Sequence, residues 1–160
     1  LAITAANEHF TALFAEWMLS QPHLLDGCEP RLKTLWLWHS AEEAEHKSTA
    51  FDVYQAIGGN HSWRITWFRR GTLIFVTDVL RQTVNNLHHD GTLWQWRTWK
   101  SAADTLFGRE GLVRKTVRPW RDYLRRDFHP SQQESDQSSQ WLRTHSDVFT
   151  PVGASAKAPA

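Results

Sequence analysis

The chain has 160 residues, enough to bury one substantial core. Its 18 basic and 17 acidic side chains leave a net charge of +1, and the basic residues are scattered, so there is no footprint for nucleic acid. One cysteine, Cys28, excludes an internal disulfide and suits a reducing compartment, so a cytoplasmic location is expected.

The first expected helix runs from about Ile3 to Leu19. A bulky face of Phe10, Leu13, Phe14 and Trp17 lies opposite a stripe of small residues that includes Ala5, Ala12 and Ala15. Such a stripe lets a neighbouring helix approach closely, and Glu8 sits within it. Either Glu8 faces a partner helix as a metal ligand, or it faces solvent and the alanines serve helix propensity. Helical patterning is already under way at Leu1, with no initiating Met and no capping residue, so the sequence is expected to be a fragment. The lack of a leader therefore says nothing about the natural N-terminus.

A second helix is expected over 31–57, and it carries the chemistry. Stepping about 100° per residue from Glu43 places Leu32, Trp36, Ala50, Val53, Tyr54 and Ile57 within about 80° of it, along with His39 and His46. Glu43 and His46 are then a Glu-x-x-His pair inside an apolar stripe. A carboxylate there needs a partner, because burying a lone ion costs several kcal/mol. Glu43 and His46 are candidate metal ligands, with His39 and Glu42 as a further ligand or as hydrogen-bonding support for the imidazole. The alternative is an ordinary surface pair. Glu45 and Asp52 point away and read as solvated. The His-Glu-x-x-His order of zinc proteases is absent. The separation of Glu8 from Glu43 fits one helix, a turn over 21–30, and a return to the same level.

One Glu on one helix and Glu-x-x-His on the next make half of the donor set of ferritin-like di-iron or di-manganese carboxylate bundles. Three stretches, TAANEHFTALFA (4–15), WHSAEEAEHKSTAFDVY (38–54) and RRDFHP (125–130), resemble a bacterial family of predicted metal-dependent hydrolases. The resemblance extends from residue 1 to about residue 145 and is to the C-terminal part of a longer family member. It implies hydrolysis, with a further carboxylate and histidine cluster supplied by the N-terminal part.

After Gly58-Gly59-Asn60 a third helix is expected over about 62–88. Arg69, Arg70, Asp78 and Arg81 interrupt any run of the roughly 20 apolar residues that a bilayer requires, so it is no transmembrane span. Its apolar residues, with several of the ten tryptophans nearby, pack on other helices, line an apolar substrate cavity or rest on a membrane surface. Shorter helices are expected at 93–106 and 111–125, the second of them basic, with either a solvated face or a site for an anionic ligand. His129-Pro130 is expected to fix the chain path. Ser131 and Glu134 have capping-box spacing for a last helix over 132–144, and 146–160 is expected to be a disordered tail.

The expected protein is an all-α, ferritin-like half-bundle with peripheral helices, a metal-dependent enzyme acting on a small-molecule, apolar substrate. Two divalent metals are expected, iron or manganese ahead of zinc, and no catalytic side chain beyond the ligands is identified. Peripheral membrane contact and homo-oligomerisation are compatible with the sequence. Two other functions stay open: a di-iron oxidase or oxygenase, and a non-enzymatic helical interaction or membrane-surface protein.

Overall fold

The computed structural model describes residues 1–133 and 136–149. Among these the chain is all-α, with seven α-helices, two 3-10 turns and no strand. The first helix, α1 (Ala2–Ser20), ends where Pro22 opens a 3-10 turn, Pro22–Leu25. The second, α2 (Pro30–His46), begins with a built cap. The Glu29 carboxylate accepts the Leu32 N–H at 3.0 Å, and Pro30 supplies a fixed φ where no N–H is needed.

The expected helix over 31–57 is in fact two, because the chain breaks at Lys47-Ser48 before α3 (Thr49–Ala56). Two contacts hold the break. Lys47 is drawn inward to Glu16 at 2.8 Å and to the Gln133 carbonyl at 2.7 Å, and Glu8 accepts the Ala50 N–H at 3.0 Å. Glu8 thus serves as a cap borrowed from another helix. The third helix stops at Gly58, whose φ of 79° is open to glycine at little steric cost.

Next, α4 (His61–His89) is capped by Asn60, whose side chain accepts the Trp63 N–H at 3.0 Å. It is followed by α5 (Trp96–Phe107) and α6 (Leu112–Asp122). Pro130–Gln133 forms a 3-10 turn, and α7 (Gln137–Thr144) starts later than the capping-box spacing predicts. Glu134 and the tail over 150–160 lie outside the described residues, whereas Val148 and Phe149 line a hollow with Pro30, Leu35 and Trp38.

The most extensive helix pairing is that of α1 with α2. Small residues are buried on both: Ala5, Ala12 and Ala15 on α1, and Ser40, Ala41 and Ala44 on α2, so the two backbones can approach closely. This overturns the expected orientation of α2. On α2 the stripe centred on Glu43 is not the packed face, for Leu32 is 44% and Trp36 49% exposed; past the break, Ala50 and Tyr54 of the same stripe are buried while Val53 and Ile57 are exposed. The packed face, around Leu37, Ser40, Ala41 and Ala44, lies roughly a quarter-turn or more away. Close approach of small residues has outweighed burial of the larger ones.

The core lies where α1, α3, α4 and the end of α6 converge on Phe51, Phe68, Tyr123 and Phe128. His9 is inside it, stacked on Tyr123 with ring centroids 4.7 Å apart. Arg64 is 2% exposed and lies over the rings of Phe51 and Tyr123, 5.0 Å from each centroid. Its guanidinium donates to the carbonyls of Tyr123 at 3.2 Å and Arg125 at 2.6 Å. The turn that follows α6 is thereby held by a buried cation.

Candidate functional site

The α1–α2 pairing brings Glu8 and Glu43 into one neighbourhood. The Thr11 hydroxyl, one helical turn after Glu8, donates to the Glu43 carboxylate at 3.0 Å. Glu8, through its bond to Ala50 N–H, points at the start of α3. The chain thus returns to α1 one helical turn from Glu8, with Thr11 holding the Glu43 carboxylate and Ala50 the Glu8 carboxylate.

The imidazoles are placed differently. His39 approaches Glu43 at 3.7 Å, but His46 faces Glu42 at 3.7 Å and not Glu43. The His46 side chain is 66% exposed and that of Glu43 33% exposed. Both pairs are i,i+4 neighbours on α2, the spacing at which side chains meet along a helix. Among the described residues no three His, Cys, Asp or Glu side chains converge on a point that could hold a metal ion. As arranged, the donors meet in pairs and do not close a metal site. Glu45 and Asp52 are exposed, as expected for solvated positions.

Three polar features were not identified as such from the sequence. Lys47 is buried and joins α1, α2 and the turn at Gln133; its place directly after His46 marked the motif but not this role. His9 is 1% exposed, and its Nε2 has no partner. Burial pushes its pKa down to about 3, with Lys47 and Arg64 adding to the effect and the Pro119 carbonyl opposing it. It is a neutral imidazole of the core, and its place beside Glu8 on α1 was the only sequence signal.

The third feature is a chain of hydrogen bonds through His129. Its Nε2 lies 2.7 Å from Asp52 Oδ1, and its Nδ1 lies 2.7 Å from Ser131 Oγ. The Ser131 N–H also donates to Nδ1 at 3.2 Å, so Nδ1 is the acceptor and Nε2–H the donor to Asp52. This chain ties α3 to the loop after α6 and accounts for the path expected at His129-Pro130. Asp52 and Ser131 are exposed, so this is a clasp on the surface.

These features define an all-α protein with glutamates and histidines gathered along one helix pair. The family model for predicted metal-dependent hydrolases matches residues 1–134, and the chain belongs to that family. No curated protein and no solved structure matches it. Membership implies an enzyme that uses a divalent metal, and no helix among the described residues is long and apolar enough to cross a membrane.

Proposed function

We propose that the protein is a hydrolase whose metal centre is built on Glu8, Glu43 and His46, with His39 and Glu42 supplying a further donor or holding the imidazole in place. The observation that supports this reading is the Thr11 bond to Glu43, which brings Glu43 of α2 against α1 one helical turn from Glu8. The pairs Glu43–His39 and Glu42–His46 are loose, at 3.7 Å, and partly solvated. Rotation of these side chains about their χ angles is compatible with a common centre.

A two-metal site of the ferritin-like type draws donors from four helices, and α1 and α2 supply two of them. The remaining donors of such a site would come from other elements of the chain or from a second copy. A bound metal would polarise an electrophile and lower the pKa of water. Within the chain, Thr11 orients the Glu43 carboxylate, and the Ala50 N–H fixes one oxygen of Glu8.

The carboxylate-rich donor set also suits iron and dioxygen, which gives a second reading, oxidation. One experiment separates them. The protein loaded with zinc or manganese is expected to hydrolyse model esters in proportion to bound metal. Silence toward esters, combined with dioxygen consumption after addition of ferrous iron, would replace the hydrolytic reading with the oxidative one.

A further inference from the structure

A second site lies on the other side of α1. Phe10, Leu13 and Phe14 project from the face of α1 opposite Glu8, into a cavity of about 1050 Å³ walled by α1, α4, α5 and α6. One end is closed by the Trp120 indole, which donates to Thr72 Oγ1 at 3.0 Å and packs on Phe68. The rings of Phe10, Phe14 and Phe75, with centroids 4.7 to 5.3 Å apart, separate the cavity from the hollow beside Thr11. The cavity is thus distinct from the carboxylate neighbourhood, and nothing about it depends on the metal reading.

Its chemistry is narrow. The walls are apolar apart from threonine and serine hydroxyls and one charged side chain among the described residues, Arg97 in the first turn of α5. Its volume is at the upper end of what small-ligand pockets occupy, roughly 300–1000 Å³. The wall residues of α4 run from Thr72 to Leu87, a length of roughly 22 Å. A membrane lipid's acyl chain spans roughly 15 Å, half the hydrocarbon thickness of a bilayer. The cavity is therefore long enough for one such chain. A single guanidinium in apolar walls selects an anionic head, and a carboxylate matches its fork. Trp94 and Trp96, 90% and 77% exposed, lie three residues and one residue before Arg97, an arrangement suited to an apolar ligand entering from a lipid–water boundary.

We propose that this cavity binds a free long-chain carboxylate, with the chain along α4 and the head on Arg97. A second copy of the chain closing over the cavity is the competing occupant. Palmitate and its uncharged analogue hexadecanol, titrated into the protein while displacement of a fluorescent fatty acid is followed, distinguish the two. Saturable binding of one palmitate per chain is expected. Arg97→Gln, at an exposed position, is expected to weaken palmitate about tenfold and leave hexadecanol unchanged. Ala102→Trp and Val113→Trp, which fill the cavity from different walls, are each expected to abolish binding of both ligands, with circular dichroism reporting the fold. Several results would overturn the proposal: no saturable binding, equal palmitate affinity in the Arg97→Gln protein, or undiminished binding in a folded cavity-filling variant. Binding that disappears as protein concentration rises would assign the cavity to a second copy instead.

Discussion

The two halves of α4 have similar apolar content and opposite fates. In the first half Arg64 and Phe68 are buried, and Ile65 packs on the core made with Phe51, Tyr123 and Phe128. In the second half Val76, Val79, Leu80 and Val84 are 42%, 44%, 58% and 43% exposed. The difference lies in what surrounds each half. The first is enclosed by α1, α3 and the turn after α6, with a cation stitched to carbonyl groups. The second meets α1 through Phe10, Phe14 and Phe75 and otherwise borders cavities or solvent. Periodicity marks apolar positions along a helix, while coverage is decided by the elements that arrive beside them.

Breaking the closed half should cost most. Arg64→Ala is expected to destabilise the protein by about 3–5 kcal/mol, because it strips the donors from the Tyr123 and Arg125 carbonyls and removes a cation from two aromatic faces. Chemical denaturation measures this. Arg81→Ala, at an exposed arginine of the second half that pairs with Asp78 at 3.4 Å, should change stability by less than about 0.5 kcal/mol. Comparable losses at the two arginines would erase the distinction between the halves.

Lys47→Met is expected to cost about 2–3 kcal/mol, since it leaves Glu16 partly buried without its cation and the Gln133 carbonyl without its donor. A double-mutant cycle with Glu16→Gln should show coupling above about 1 kcal/mol; additive effects would mean that the ion pair does not hold the α2–α3 break.

His9 sharpens the comparison through pH. Its folded pKa, about 3, lies below the unfolded value near 6.5, so the unfolded state binds a proton first as pH falls. The stabilisation is whole above about pH 6.5 and is lost progressively as pH falls toward the folded value. The loss from this residue is about 2 kcal/mol between pH 6.5 and pH 5. Denaturation of wild type and His9→Leu across that range checks it, and parallel pH profiles would show that His9 is not held neutral. The smallest effect belongs to the open half: Val84→Ser should alter stability by less than about 0.5 kcal/mol. A loss above about 2 kcal/mol would mean that this face is covered in solution.

The helices were legible because their patterns are local. Alanine spacing on α1 foretold the close neighbour, and Gly58 with Asn60 marked the end of α3 and the start of α4. The break at Lys47-Ser48 was not legible, since it depends on Glu16 and Gln133, distant in sequence, and on Glu8 capping Ala50. The orientation of α2 was missed for a related reason. Hydrophobic phase favoured Leu32 and Trp36, whereas packing followed the small residues Ser40, Ala41 and Ala44. Glu43 was expected from spacing to meet Glu8's neighbourhood, but the turn of His46 toward Glu42 depends on a side-chain rotation that spacing does not encode.

The assignment of Glu43 and His46 as metal donors is tested most directly by metal content. Elemental analysis of the purified protein is expected to give stoichiometric divalent metal in wild type and in Glu45→Ala, whose side chain is exposed. Glu43→Ala and His46→Ala, folded by circular dichroism, are expected to lose it. Equal metal in all four proteins, or none in wild type, would contradict the account.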